Sequence, residues 1–374
     1  MVGGGQLARM TYQAAIPLGV TLRVLSERAD DGAALVSADA EIGSHTDLEA
    51  LRRFAAGCDI VTFDHELAPP ELLEQLAREG QVLRPSPAAM RFAQDKLWQR
   101  EQFGALGLPV PAHAVVATAE DAAAFAAAHG GWPVVIKAAR GGYDGRGVWV
   151  ARTAEDAARV VAEGAAGGLR LFAEAMVELE REVAVLIARR PGGESVVYPV
   201  VETVQADGMC RELVSPAPID PSVAAHARNI AERIADAIGV TGIMAVELFV
   251  ARGGEVLVNE IATRPHNSGH HTIEGCVTSQ FENHVRAVLD WPLGSTAPVA
   301  PAVVTVNVVG GAAGGDPRAN LPRALAVPGV HVHLYGKGPR PGRKLGHVTA
   351  LGEDANEVRE RADRAAAILV GEPA

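Results

Sequence analysis

Two short apolar runs constrain this chain more than any other feature, because each carries one glutamate and a glycine pair lies between them. Gly242-Ile243-Met244-Ala245-Val246-Glu247-Leu248-Phe249-Val250 and Val256-Leu257-Val258-Asn259-Glu260-Ile261 are rich in β-branched residues and read as buried strands. Arg252-Gly253-Gly254-Glu255 joins them, and a Gly-Gly pair between two strands signals a two-residue hairpin. That turn pairs Arg252 with Glu255 and places Glu247 opposite Glu260. Opposed like charges destabilise a sheet face, and more so among apolar neighbours. A divalent cation between the carboxylates removes the conflict, and hard Mg²⁺ suits oxygen ligands. A register slipped by one, or a glutamate reaching solvent, is the competing arrangement.

The chain has 374 residues, enough for two or three domains at ~150 residues each. Hydrophobic content of 48% and a mean hydropathy of +0.11 fit a soluble globular protein. No run approaches the ~20 apolar residues of a membrane span, and Met1-Val2-Gly3-Gly4-Gly5 lacks the pattern of a signal peptide. Cys58, Cys210 and Cys276 are scattered, which indicates reduced thiols and a cytoplasmic location. A net charge of −11 argues against nucleic-acid and membrane partners, but not against small anions met by local positive charge. Lysine usage sharpens that point. The chain has thirty arginines and four lysines (Lys96, Lys137, Lys337 and Lys344), and all four lysines sit in motif-like segments. A compact ammonium is the reason to keep lysine in such a chain.

Gly3-Gly4-Gly5 opens an amphipathic helix, and strand-like Val20 to Leu25, helical Thr46 to Ala56 and strand-like Ile60 to Phe63 follow. This alternation predicts a small parallel sheet with helices on both faces. The first strand is expected to be very short or missing, because almost nothing precedes the glycines. A helix from about Ala88 to Leu106 carries Asp95-Lys96. Alanine-rich helices then alternate with strands at Pro133 to Ala138, Val148 to Ala151, Leu171 to Glu174 and Glu182 to Ala188. A last amphipathic helix spans about Asp354 to Leu369.

Val134-Val135-Ile136-Lys137 is an apolar strand ending in lysine, and it runs into Arg140-Gly141-Gly142-Tyr143-Asp144-Gly145-Arg146-Gly147. Four glycines free the loop amides to fold around an anion, so the segment reads as a flap over phosphates with Lys137 beneath. It is not a P-loop, since the lysine precedes the glycines. A plain surface hairpin is the alternative. Leu171 to Val177 followed by Glu182 could offer backbone groups to an adenine edge and a carboxylate to a ribose, although an ordinary strand with a solvated glutamate is the simpler account. Arg264-Pro265-His266-Asn267-Ser268-Gly269-His270-His271 is polar and turn-rich at a strand end, which suits a substrate loop. Its histidines lack the spacing of a zinc site. Lys337-Gly338-Pro339-Arg340-Pro341-Gly342-Arg343-Lys344 packs four cations into one turn, either a phosphate site or a solvated basic turn.

At these residues the chain resembles the ATP-grasp enzymes and, among them, the N5-carboxyaminoimidazole ribonucleotide synthetase family. Gly3-Gly4-Gly5-Gln6-Leu7, Gln94-Asp95-Lys96, Gly141 to Gly147, Asn259-Glu260, Arg264 to His270 and Arg340 to Lys344 carry the resemblance nearly end to end. It implies an α/β (α+β) ATP-grasp fold: a Rossmann-like preATP-grasp domain over 1–85, an ATP-grasp domain over 86–294 with a lid at about 112–180, and a small C-terminal domain over 295–374. It also implies an ADP-forming ligase of purine biosynthesis that uses ATP, bicarbonate and 5-aminoimidazole ribonucleotide by way of carboxyphosphate. A homodimer, and a separate mutase that receives the product, are further implications.

Carried over by position, Lys96 and Lys137 bind ATP phosphates, and Gly142, Tyr143, Asp144, Gly145, Arg146, Gly147 and Val148 close above. Glu174, Ala175, Met176 and Val177 hold adenine, Glu182 the ribose, and Gln205 lies near the nucleotide. Glu247 and Glu260 hold Mg²⁺, expected as two ions with Mn²⁺ as a substitute, beside Asn259. Tyr143, Asp144, Arg146, His266, Asn267, Ser268, His270, Lys337, Arg343 and Lys344 surround the ribonucleotide. Arg264, Lys137, Asp144 and Arg146 form the catalytic set. Three departures stand out. Ala262 replaces an asparagine common in ATP-grasp enzymes, Asn259 is expected on the opposite strand face from Glu260, and Gln205 stands where relatives can carry histidine. Glu66 is assigned a substrate role from its acidic turn. The formate-dependent glycinamide ribonucleotide transformylases are the nearest competing family, and an inactive nucleotide-binding module is the alternative of another class.

Overall fold

The computed structural model describes residues 1–142, 147–206, 208–311 and 315–372. At the N-terminal end, β1 (Val24–Ser26) pairs in parallel with β2 (Ala40–Ile42). Val2 bridges in parallel to both Leu25 and Phe63, so the first strand is reduced to a single pairing position. Helices Gln6–Ala15, Leu48–Ala55 and Pro70–Arg78 follow the expected rhythm, and the last two pack Leu51, Phe54, Leu73 and Leu76 against Val2, Leu25 and Phe63.

The helix expected over 88–106 is two helices, Pro87–Gln94 and Lys96–Ala105, broken at Asp95. Asp95 leaves helical geometry and its carboxylate accepts the Trp98 N–H at 3.0 Å, capping the second helix. The same carboxylate takes the Arg140 guanidinium at 2.9 Å. The break therefore aims Lys96 from the first turn of a helix rather than from its middle.

A four-stranded antiparallel sheet follows, built from β3 (His113–Val116), β4 (Val134–Ala138), β5 (Val148–Ala151) and β6 (Leu171–Ala175) in the order β3-β6-β4-β5. Alternation along these strands divides the labour. Val134, Ile136, Leu171 and Ala173 join Phe125 and Val160 of two alanine-rich helices in one core. Val135, Lys137 and Glu174 take the other face and line a cleft.

The cleft floor belongs to a nine-stranded sheet of β7 (Leu179–Arg189), β8 (Ser195–Val197), β9 (Val201–Ala206), β10 (Met209–Ser215), β11 (Gly242–Ala251), β12 (Val256–Ala262), β13 (Ala302–Val309), β14 (Val330–Leu334) and β15 (Lys344–Gly352). Its order is β12-β11-β7-β9-β10-β13-β15-β14, with β8 paired to β7. The C-terminal strands thus continue the sheet of β7 to β12 through the β10–β13 ladder rather than standing apart from it. Ile230, Ile234 and Ile238 of helix Pro221–Ile238 pack against Val185, Val246 and Leu248. Each fully buried side chain of this kind stabilises the fold by roughly 1.5–3 kcal/mol. Because Val246 and Leu248 point at that helix, Glu247 between them must point into the cleft.

Candidate active site

The hairpin reaches the expected carboxylate pair by an unexpected route. The Ala251 N–H donates to the Glu255 carbonyl at 2.8 Å and the Gly254 N–H to the Ala251 carbonyl at 3.0 Å, so the loop is Arg252-Gly253-Gly254. Gly253 and Gly254 have φ of +91° and +84°, which explains the pair of glycines. The expected Arg252–Glu255 pairing is therefore replaced by Val250↔Val256 and Leu248↔Val258, one residue out of step. A bulge opposite the Glu247–Leu248 step absorbs that residue at Asn259 and restores Glu247↔Glu260. It also corrects the placement of Asn259, whose Oδ1 accepts from the Lys137 ammonium at 3.3 Å in the cleft rather than facing away.

Cations meet these carboxylates from above. The Lys96 ammonium contacts the Glu260 carboxylate and lies near enough to Glu247 to feel its charge. Burial and the nearby Lys137 push Lys96 down to about 8. Lys137 donates to Glu174 Oε2 at 2.5 Å, and Arg100 donates to Glu174 Oε1 at 2.5 Å. Burial alone would raise the Glu174 carboxyl, but Arg100 and Lys137 together hold it at about 2. Arg100 also contacts the Asn259 carbonyl, so one buried guanidinium ties the β6 strand to the bulge. The Glu174 side chain is thus spent on cations, and the residue lines the cleft beside Ala175, Met176 and Val177.

Glu182 pairs with Phe249 across β7 and β11, on the same cleft face as Glu247. Burial, reinforced by Glu247, pushes its carboxyl up to about 7, against Lys137 and a hydrogen bond from Gln205. Opposite, Arg264 Nε donates to Glu66 Oε2 at 2.8 Å, while Glu66 Oε1 accepts the Thr263 N–H at 3.3 Å. Glu66 therefore positions Arg264 instead of standing alone at a substrate. Gln280, fully buried, clamps the His266 backbone from both sides at 2.9 and 2.7 Å. The Ser268 N–H donates to His266 Nδ1 at 3.3 Å, which leaves Nε2 to carry the proton, 3.7 Å from Glu247 Oε1. Burial, with Arg264 and Lys344 nearby, keeps that imidazole neutral.

These groups converge on a cleft of about 920 Å³, within the size range of small-molecule sites. Residues 1–94 match the ribonucleotide synthetase preATP-grasp domain, 101–281 the ATP-grasp domain, and 303–361 the phosphoribosylaminoimidazole carboxylase C-terminal domain. An N5-carboxyaminoimidazole ribonucleotide synthase from Mycobacterium tuberculosis is 51% identical over 372 residues, 98% of this chain and 86% of the relative. The chain belongs to the N5-carboxyaminoimidazole ribonucleotide synthase family. Two solved members agree with the fold. The synthetase from Thermus thermophilus superposes with a TM-score of 0.87 at 38% identity, covering 100% of this chain and 99% of that one. The enzyme from Aspergillus clavatus, in complex with ADP and 5-aminoimidazole ribonucleotide, gives 0.89 at 31% identity and covers 98% of each chain.

Within this synthase family member the structure sorts the expected site residues. Lys96, Lys137 and Lys344, three of the four lysines, line the cleft with Gly142, Val148, Gln205, His266, Asn267 and Ser268. His270 does not. It is fully buried behind the loop, stacked on His347 and Phe281, which corrects its assignment to the substrate. Lys337 and Arg343 also fall outside the lining. The Lys337 ammonium contacts Gln6 Oε1, and Arg343 turns back to the Gly338 carbonyl at 3.0 Å. Tyr143, Asp144, Gly145 and Arg146 lie outside the described residues. The glycine turn differs from a phosphate loop because Asp64 Oδ2 accepts the Gly5 N–H at 2.7 Å, and a Cβ on Gly3 would lie 1.6 Å from the same carboxylate. Arg100 and Gln280 escaped the sequence reading because a buried polar clamp has no pattern until its partners are known. Asp95, by contrast, sits in a recognisable Gln94-Asp95-Lys96 motif.

Proposed function

We propose that this chain carboxylates 5-aminoimidazole ribonucleotide with bicarbonate, converting ATP to ADP and phosphate, as a cytoplasmic, homodimeric enzyme whose product passes to a mutase. The observation that carries this is one cleft in which opposed glutamates, three lysines and a neutral histidine meet in a member of this family. Residues 1–85, 86–294 and 295–374 serve as preATP-grasp, ATP-grasp with its lid at about 112–180, and C-terminal parts. In support, no helix among the described residues is long and apolar enough to cross a membrane.

The donor set fits Mg²⁺, or Mn²⁺ in its place. Glu247 and Glu260 present carboxylate oxygens across one hairpin, and Mg²⁺ characteristically takes one or two carboxylates and completes its shell with substrate phosphates and water. Mg²⁺ supplies charge withdrawal from the phosphate oxygens. Lys96 and Lys137 hold the phosphates, main-chain groups of Glu174 to Val177 the adenine, and Glu182 the ribose hydroxyls. Bicarbonate attacks the γ-phosphorus and ADP leaves, giving carboxyphosphate, whose charge Arg264 stabilises. The exocyclic amine of the ribonucleotide, held by the His266–Ser268 loop and Lys344, attacks the carboxyl carbon as phosphate departs. Phosphate and ADP release with ATP and bicarbonate tests this directly. It should require 5-aminoimidazole ribonucleotide and fail with glycinamide ribonucleotide plus formate.

Two further outcomes follow from the geometry. Lys344→Ala should raise the KM for the ribonucleotide by roughly 10- to 100-fold, because a charge-assisted contact is worth ~1.5–3 kcal/mol. Arg343→Ala should change it less than ~3-fold at these magnitudes, since Arg343 is not among the residues lining the cleft and its guanidinium donates to the Gly338 carbonyl. Equal effects from the two variants would show that the turn acts as one phosphate site. Glu182, titrating at about 7, ionises as pH rises, and only the carboxylate accepts from both ribose hydroxyls. The KM for ATP should therefore fall about fivefold between pH 6 and pH 8, because the roughly tenfold gain in ionised Glu182 is halved as Lys96, which titrates at about 8, loses charge. Glu182→Gln should flatten that limb; an unchanged limb would assign it to another group.

A further inference from the structure

Behind the substrate loop lies a stack of three histidines that the catalytic account leaves unused. His270 and His347 lie ring on ring at 4.8 Å, and His347 and His333 at 4.6 Å. His333 and His347 face each other in register across β14 and β15, while His270 comes from the loop carrying His266, Asn267 and Ser268. Two of the three rings are anchored. Glu274 Oε1 meets His333 Nε2 at 2.6 Å, and the Tyr335 hydroxyl meets His347 Nδ1 at 2.8 Å. Tyr335 is itself 1% exposed. Neither ring nitrogen of His270 has a hydrogen-bond partner among the described residues, and His347 Nε2 has none either. Burial keeps both imidazoles far below their usual range, so the stack carries no like-charge repulsion.

Such a stack costs free energy, because unpartnered polar atoms are buried, and stability alone is a poor reason to keep it. Its placement offers a better one. Lys344 stands three residues before His347 on β15, and Lys337 two residues after Tyr335. His266 to Ser268 precede His270 and line the same cleft as Lys344. We propose that His270, His347 and Tyr335 are positioning residues that clamp the His266–Ser268 loop to the β15 strand, setting the spacing between that loop and Lys344 where the ribonucleotide is held. This rests on the assignment of that half of the cleft to 5-aminoimidazole ribonucleotide.

Tyr335→Phe decides it, since it deletes one hydroxyl, leaves His347 Nδ1 without its anchor and barely changes volume. The KM for 5-aminoimidazole ribonucleotide should rise about tenfold, equivalent to about 1.4 kcal/mol. The KM for ATP and kcat at saturation should stay within about twofold. His270→Ala, which removes the first ring of the stack, should raise the same KM further, with melting temperatures recorded for both variants. A merely structural role would lower the active fraction, and hence Vmax, and leave both KM values unchanged. That result with Tyr335→Phe overturns the proposal, whatever becomes of His270→Ala. Failure of the unsubstituted enzyme to turn over 5-aminoimidazole ribonucleotide would instead overturn the underlying substrate assignment, and the clamp with it.

Discussion

Glu247→Gln and Glu260→Gln are each expected to lower turnover by roughly 10²- to 10⁴-fold, equivalent to ~3–5 kcal/mol of transition-state stabilisation. The two carboxylates face each other across β11 and β12 with Lys96 against one of them, and in the proposed reading each is half of a divalent-cation site. An amide keeps the shape and one oxygen but loses the charge that holds a divalent ion against phosphates. Such contacts strengthen as charge moves in the transition state, so kcat should fall more than KM for ATP rises. Folding should survive; without nucleotide the melting temperature should stay level or rise for Glu247→Gln, which relieves the repulsion, and fall for Glu260→Gln, which leaves the Lys96 ammonium without its carboxylate. Steady-state assays across a Mg²⁺ titration, beside thermal melts, check both halves. Near-normal turnover of either variant at limiting Mg²⁺ would remove that glutamate from the metal site.

Glu174→Gln should have the second largest effect, and on folding as well as binding. Arg100 and Lys137 share this buried carboxylate, and Arg100 is 1% exposed. Deleting the only negative member of such a triad leaves two buried cations without compensation, which costs ~3–5 kcal/mol. Lys137 should then lose charge, because burial already pulls it down and Glu174 is what holds it up. ATP affinity should fall at least tenfold, or ~1.4 kcal/mol, as the phosphate cation weakens. The unsubstituted protein carries a matching pH signature. Glu174 titrates at about 2 when folded against 4.5 ordinarily, so its contribution is fully present above pH 4.5 and is lost as pH falls towards 2. That contribution is on the order of 3 kcal/mol. Denaturant melts at pH 7 and pH 3.5 should converge for Glu174→Gln relative to the parent. A variant as stable as the parent at pH 7, with unaltered ATP affinity, would show that the triad matters to neither property.

The hairpin shows why part of the site could be read from the residues and part could not. Alternation within β11 places Glu247 on the cleft face whatever the neighbours do, and the glycine pair confines the turn to two or three residues. Whether Glu260 then meets Glu247 depends on the bulge at Asn259, which the strand sequence does not announce. The counted register reached the right pair because the three-residue turn and the bulge offset each other.

Lysine scarcity worked for a firmer reason. A compact ammonium has no substitute in an arginine-rich chain, and three of the four lysines do line the cleft. Local chemistry thus determined most of the elements, the cleft face of Glu247, the cleft lysines and the loop after Glu260. Long-range packing decided the rest. Arg100 reaches Glu174 across 74 positions, Arg264 reaches Glu66 across 198, and His270 leaves the cleft for a stack with His347. Those choices are made by which partner pairs each buried charge or ring. Because an unpaired buried charge costs several kcal/mol, the partner is specified by the assembled fold and not by its neighbours in the chain.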